Sequence, residues 1–294
     1  MIINFGSINI DHVYQVSTMP VPGETISAVS YDKFLGGKGI NQSIAIAKAN
    51  GQVNHVGSVG SDSSWVLSEI EKLGVDTSSV SRLNCATGHA IIFVNQEGEN
   101  LIVIEGGANQ QLTKSEIDEA LSSGKPEQDW VLFQNETNLT EYLAQKAKAA
   151  GYRLVYSAAP FKAEIVENIL PMIDLLAVNE IEAAALADHL HIPQTEIPVP
   201  QLLVTKGAKG SVFHVAEEQF AQNAITVEAL DTTGAGDTFL GSFLANYCEG
   251  TDAKTALKYA AHASALQVTK AGAATAIPSH IEVKTFMQSS EINE

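Results

Sequence analysis

Short apolar runs alternating with helical patterns that stop at glycine constrain this chain more than any other feature. Residues 2–5, 53–59, 130–133, 154–157, 175–178 and 202–205 read as buried strands. Residues 41–50, 65–73 and 141–150 read as helices stopped by Gly51, Gly74 and Gly151, because glycine takes a left-handed turn at no steric cost. A long Ala-rich helix is expected over residues 253–268. Strands interleaved with helices predict an α/β fold, a Rossmann-like three-layer α/β/α arrangement around a mostly parallel central sheet.

Two stretches break the alternation. Residues 10–34 alternate weakly and contain Pro20, Pro22 and Gly23, and residues 89–104 read as a hairpin with a polar turn at 95–100. With no helix between their strands, these segments are expected to form a small separate β-sheet. A flap over a ligand site is one use for it, and an ordinary edge hairpin is the alternative. No internal repeat or interdomain linker is visible, so residues 1–294 are expected to be a single domain with a lid built from about 10–34 and 89–104.

With 294 residues, 45% of them hydrophobic, the chain can bury a sizeable core. A formal net charge of −17 argues against a nucleic-acid partner, which needs clustered Lys and Arg. It leaves room for a nucleotide, whose phosphates helix N-termini and a metal can hold locally. Cys85 and Cys248 are the only cysteines and lack metal-ligand spacing, which argues against a disulfide scaffold or structural zinc and fits a reducing compartment. No basic leader and no run near the ~18 apolar residues of a membrane span is present. A soluble, cytoplasmic protein with no membrane partner is therefore expected.

The chemistry concentrates in Asp231-Thr232-Thr233-Gly234-Ala235-Gly236-Asp237, followed by an apolar helical run over 238–247. A Gly-rich turn at a helix N-terminus offers free N–H groups and the positive dipole end to an anion. A carboxylate at the edge of such a hole repels the anion, so Asp237 needs a reason to be there. A base beside a phosphate site is what phosphoryl transfer to a hydroxyl requires. A plain N-cap with a tight turn is the simpler alternative. A second Gly-rich segment, Gly36-Gly37-Lys38-Gly39-Ile40-Asn41-Gln42, allows close backbone approach to a ligand, with an amide that can bridge hydroxyls. Asn9, Asp11, Glu136, Asn179 and Glu182 recur just past strands, at the edge where parallel sheets bind ligands. Lys38 is followed by Gly39, so the P-loop pattern fails, and Phe239 breaks the dinucleotide-binding GxGxxG.

Taken together these residues resemble the ribokinase-like sugar kinases. Gly6-Ser7-Ile8-Asn9-Ile10-Asp11 is similar to the family's first sugar-binding segment, residues 36–42 to its first signature, Asn179-Glu180-Ile181-Glu182 to its Asn-x-x-Glu motif and residues 231–237 to its second signature. Glu97-Gly98-Glu99-Asn100 and Gly106-Gly107-Ala108-Asn109 extend the likeness, which runs over about residues 2–280. The resemblance implies ATP-dependent phosphorylation of ribose at O5, with Asp237 as general base and an anion hole at Gly234, Ala235, Gly236 and Asp237. It implies sugar contacts at Asn9, Asp11, Gly37, Lys38, Asn41, Glu136 and Asp237. It implies nucleotide contacts at Asn179, Thr205, Lys206, Gly207, Gly210, Gly236 and His262. Magnesium entering with ATP would be organised through water by Glu182. An activating potassium ion would sit at Asp231, Thr233, Gln267, Lys270 and Gly272, and a homodimer would form through the lid.

Three positions depart from the family pattern. Ser157-Ala158-Ala159-Pro160 replaces Asn-Pro-Ala-Pro, residues 190–200 are short, and Ala276 stands where a serine often assists the cation. Another sugar or nucleoside kinase, such as a deoxyribokinase or fructokinase, and a non-catalytic sugar or nucleotide sensor are the alternatives.

Overall fold

The computed structural model describes residues 1–292. A large sheet is built from β1 (Ile2–Phe5), β4 (Val53–Val59), β5 (Val80–Arg82), β8 (Trp130–Gln134), β9 (Arg153–Ser157), β10 (Leu175–Asn179), β11 (Gln201–Thr205), β12 (Ser211–Val215) and β13 (Glu218–Gln222). Its nine strands run in the order β13-β12-β11-β10-β9-β8-β1-β4-β5. From β5 to β11 every neighbour is parallel, and only β12 and β13 are antiparallel. The chain leaves β1 in both directions, to β4 on one side and β8 on the other. That reversal opens a crevice at the carboxyl end of β1, where open α/β sheets bind ligands.

The α-helices among the described residues are α1 (Lys38–Lys48), α2 (Ser64–Lys72), α3 (Lys114–Ser123), α4 (Thr140–Ala149), α5 (Ala163–Ile169), α6 (Glu180–Leu190), α7 (Ala235–Tyr247), α8 (Ala253–Val268) and α9 (His280–Ile292). Strand alternation sorts the core into two layers. Ile3, Val131, Phe133, Leu154, Tyr156 and Leu176 pack under α3 to α6. Ile2, Trp130, Leu132, Val155, Leu175 and Leu203 pack under α7 and α8 on the other face. A third cluster joins α1 and α2 to Ile8, Ile10 and Leu35 at the base of the lid.

The lid is a second sheet of β2 (Asn9–Gln15), β3 (Ser30–Gly36), β6 (Gly88–Val94) and β7 (Asn100–Glu105), in the order β3-β2-β6-β7. Two antiparallel pairs are joined by the parallel pair β2–β6. The expected α/β/α fold and its small extra sheet are both present. The helix expected at 41–50 starts earlier, at Lys38, inside the glycine motif, and stops at Lys48. The short 190–200 stretch carries only one 3-10 turn, Gln194–Glu196. Among the described residues no helix is long and apolar enough to cross a membrane.

One close approach positions the site. A Cβ on Gly39 would lie 2.4 Å from the Gly6 Cα and 2.4 Å from the Ser7 nitrogen, so α1 begins directly against the end of β1. Gly39→Ala is therefore expected to cost about 1–3 kcal/mol through overpacking. Gly236→Ala, whose Cβ would meet nothing within 4 Å, should change stability by no more than about 0.5 kcal/mol. Chemical denaturation of the two variants checks the contrast, and equal losses would contradict the packing account.

Candidate active site

The start of α7 is not capped by its own acid. Gly234, with φ of 76°, is the N-cap and makes no side-chain cap bond. Asp237, three residues into the turn, turns its carboxylate across to α1. There Asn41 Nδ2 donates to Oδ2 at 3.1 Å and Gln42 Nε2 donates to Oδ1 at 2.9 Å. The Ala235 N–H is spent on the Thr232 carbonyl at 3.2 Å, and the Thr238 N–H on the Gly234 carbonyl at 2.9 Å. Among the described residues the N–H groups of Gly234, Gly236 and Asp237 take no partner, so of the four residues expected at the anion hole only Ala235 has its amide engaged.

Burial pushes the Asp237 carboxyl above its ordinary range. The Lys38 ammonium and the two amides oppose the rise, and Glu136 adds to it. For Lys38, burial favours the neutral amine, but the carboxylates of Asp237, Glu136 and Glu182 outweigh it and the pKa is raised. Lys38 is thus a charged ammonium facing three acids. Glu136 is tied to the same turn: the Ser7 hydroxyl donates to its Oε2, and so does the Lys38 N–H at 2.9 Å.

Asn9 and Asp11 enter from β2. Asn109 Nδ2 donates to Asn9 Oδ1 at 2.7 Å and to the Ile8 carbonyl at 3.2 Å, which leaves the Asn9 amide hydrogens for a ligand. Asp11 packs against Gly36, where any side chain would collide with its carboxylate. Burial, helped by Glu136, raises its pKa to about 6. Beside these residues a cavity of about 260 Å³ is lined by Asn9, Asn109, Gln110, Asn135, Glu136 and the lid residue Ile104. Gly37, with φ of 104°, caps α1, and a Cβ there would lie 3.0 Å from the Asn9 nitrogen. All seven residues expected around the sugar therefore meet at one place.

The loop before α7 is cross-braced. Asp231 Oδ1 accepts from the Thr233 N–H at 2.9 Å and Oδ2 from the Gly272 N–H at 2.9 Å. Gln267 Nε2 donates to the Thr233 carbonyl at 2.6 Å. Burial would raise the Asp231 pKa, but these N–H groups lower it, so the carboxylate stays charged. The buried Gln267 Oε1 has no partner among the described residues. Lys270 contributes its N–H to the Gln267 carbonyl at 2.9 Å, while its ammonium turns away to Glu282 at 2.9 Å.

Asn179 and Glu182 form a capping box on α6. Asn179 Oδ1 accepts from the Ile181 and Glu182 N–H groups, each at 2.9 Å, and Glu182 Oε2 from the Asn179 N–H at 2.8 Å. Burial raises the Glu182 pKa against the Asn179 N–H and Lys38. The Thr205 to Gly210 loop closes with the Lys206 N–H on the Gly210 carbonyl at 2.8 Å. Gly207, with φ of 54°, has nothing near the position of a Cβ, and Gly210 lies against Gln222 and Asn223. The same strand end walls a cavity of about 660 Å³, lined also by Ile225, Thr226, Lys258 and His262. His262 is held by the Lys258 carbonyl at 2.7 Å.

Sequence reasoning missed Gln42, Gln134, Asn109 and Ser7 as parts of the site. Gln42 stands inside the recognised glycine motif and Gln134 two residues before Glu136, but neither spacing marks its partner.

The pattern of the pfkB family carbohydrate kinases matches residues 1–280. The ribokinase of Haemophilus influenzae is 33% identical over 96% of this chain and 97% of its own. A deoxyribokinase of Salmonella typhi is 31% identical, covering 98% of each chain. The solved structure of Arabidopsis thaliana ribokinase complexed with ribose and ATP superposes with a TM-score of 0.85 at 29% identity, covering 98% of both chains. Family pattern, relatives and fold agree, and the chain belongs to the pfkB family of carbohydrate kinases.

Proposed function

We propose that this chain is an ATP-dependent ribokinase that makes D-ribose 5-phosphate, and that Asp237 is its general base. The observation that carries the reading is the Asp237 carboxylate, held by Asn41 and Gln42 instead of capping its own helix, beside the free amides of Gly236 and Asp237. Asp237 takes the proton from the ribose O5 hydroxyl as that oxygen forms its bond to the γ-phosphorus. The bond from that phosphorus to the bridging oxygen breaks, and ADP leaves with the electron pair. The two amides and the helix dipole stabilise charge on the transferring group.

Asn9, Asp11, Gly37, Lys38, Asn41 and Glu136 grip the sugar. The buried Asn41 Oδ1 has no partner among the described residues, as expected of an acceptor reserved for a hydroxyl. Thr205, Lys206, Gly207 and Gly210 line the phosphates and ribose of ATP, and the His262 cavity takes the base. Asn179 and Glu182 lie at the phosphate end, where Glu182 would hold magnesium through water. Magnesium supplies neutralisation of the ATP phosphates when bound. Asp231, Thr233, Gln267 and Gly272 offer a charged carboxylate and oxygens to potassium, with the orphaned Gln267 Oε1 among them, and potassium would add positive charge behind the hole. Lys270 contributes its backbone alone. The chain acts as a single domain in the cytoplasm, and its lid also forms a homodimer contact. Exposed Tyr31, Phe34, Leu101, Ile102, Val103 and Ile104 on the lid supply the apolar surface.

The decisive experiment is ADP release with ATP, magnesium and potassium across ribose, 2-deoxyribose, fructose, adenosine and no sugar. Turnover is expected to be strongest with ribose, and a stronger response to 2-deoxyribose would reassign the sugar while keeping the kinase. Asp237→Asn should lower kcat by about 10²–10⁴ while ribose still binds by calorimetry. Near-normal turnover would remove Asp237 as the base.

A charged carboxylate accepts sugar hydroxyls more strongly than a neutral one. Because Asp11 titrates near pH 6, KM for ribose should rise as pH falls through about 6. Asp11→Asn should carry a higher KM that is flat over that window. A wild-type KM unchanged from pH 7.5 to 5 would refute an ionised contact.

Replacing potassium with sodium at constant ionic strength should lower kcat several-fold, with Asp231→Ala abolishing the difference. Identical rates in the two salts would rule out the cation site.

A further inference from the structure

Gln42 belongs to a chain of buried polar groups that passes through the centre of the fold. It is 1% exposed, as is Gln134, while Asn4, Ser43 and His55 are 0% exposed. Gln42 Nε2 donates to Asp237 Oδ1 at 2.9 Å and to Ser157 Oγ at 3.3 Å, and Gln42 Oε1 accepts from Gln134 Nε2 at 2.8 Å. Gln134 sends its other amide hydrogen to Asn4 Oδ1 at 2.9 Å. Asn4 Nδ2 donates to the Gly39 carbonyl and to Ser43 Oγ, each at 2.8 Å, and Ser43 Oγ lies 2.8 Å from His55 Nδ1.

These contacts permit one polarity. An ionised carboxylate only accepts, so Gln42 must face Asp237 with its nitrogen and Gln134 with its oxygen. Gln134 must then present its nitrogen to both Gln42 and Asn4. Asn4 in turn donates to Ser43, whose hydrogen is left for an unprotonated His55 Nδ1. Burial pushes the His55 pKa down to about 4, so the ring is neutral. Reversing the Gln42 amide would set oxygen against carboxylate and nitrogen against nitrogen. Asn41 is held at its nitrogen alone, since its Oδ1 has no partner among the described residues.

We propose that Gln42, locked by Gln134 and Asn4, is a positioning residue for Asp237: it fixes Oδ1 so that Oδ2, beside Asn41, is presented to the acceptor hydroxyl. The inference rests on Asp237 acting as base. The charged groups facing that carboxylate are Lys38 from α1 and Glu136 from the end of β8. Neither is altered by substitution at Gln42.

The test is the pH profile of kcat, with KM for ribose, in Gln42→Met and Gln134→Met, each verified as folded by circular dichroism. Gln42→Met removes the donor. Gln134→Met leaves the donor but frees it to turn, so it should show the same effects more weakly. In Gln42→Met, kcat should fall about 10–100-fold with KM for ribose within about threefold. The acid limb of kcat should move up by about half a pH unit or more, because a hydrogen bond to the charged form is gone. A kcat within twofold of wild type, or a fall with the acid limb unmoved, would overturn the positioning role. If Gln42→Met does not fold, Gln134→Met decides by the same two criteria. Asp237→Asn separates the two ideas: an inactive Asp237→Asn beside an unaffected Gln42→Met sinks the positioning inference alone. An active Asp237→Asn sinks the base itself.

Discussion

The site depends on how closely α1 can approach its neighbours. Gly6 and Gly39 bring the first turn of α1 into backbone contact with the end of β1. On its other side α1 meets α7 at Gly241, where a Cβ would lie 2.6 Å from both the Ala45 Cβ and the Gln42 carbonyl. Two helices that touch through glycine can place short amides across a small gap. Asn41 and Gln42 are consecutive on a helix, so they point about 100° apart. That angle lets them reach the two oxygens of one carboxylate from different sides. With ordinary side chains at these contacts the helices would stand farther apart, and neither amide would reach Asp237.

The electrostatics follow from that crowding. Asp237, Glu136 and Glu182 all act on Lys38, and Asp11 lies within the influence of Glu136. A site with this many acids cannot hold a polyanionic substrate by side-chain charge alone. In the proposed reaction the load would fall on backbone N–H groups, the α7 dipole and the cation arriving with the nucleotide. The acids are useful because they are held apart in their surroundings. Asp231, bonded to two N–H groups, is lowered and stays ionised, whereas Asp11 and Asp237 are raised by burial. One fold thus provides a permanently charged brace and carboxylates whose protonation responds to what binds.

Much of this was readable in the chain because the signals are local. Val53–Val59 and Ala253–Val268 have the bounds that their apolar patterns predict. The antiparallel hairpin of β12 and β13 escaped notice, since Glu218–Gln222 is a mixed polar edge strand without a continuous apolar run. Helix α6 escaped too, although Asn179 and Glu182 spell its capping box, because polar groups just past a strand drew attention to ligands first. Both readings hold at once: a capping box spends one Glu182 oxygen and leaves the other. A sequence shows which amides begin a helix but not which of them a preceding turn consumes, as it does at Ala235.

The buried amide chain was beyond sequence reasoning for a different reason. Gln42 and Gln134 are 92 residues apart, and their partnership exists only because β8 lies beside β1 while α1 crosses the end of β1. Ser157 shows how such a network reads a substitution. At the end of β9 its hydroxyl takes the second amide hydrogen of Gln42, so the departure from Asn-Pro-Ala-Pro still leaves that donor satisfied. A buried amide with a partner missing costs about 1–3 kcal/mol, and a network satisfied throughout has a single low-energy arrangement. The orphaned Gln134 Oε1 marks where this one is weakest. The polarity is therefore set at the other end, by the charge on Asp237. Protonation of that carboxyl would remove the reason for Gln42 to face it with nitrogen, so the order of the network and the ionised state of Asp237 reinforce each other.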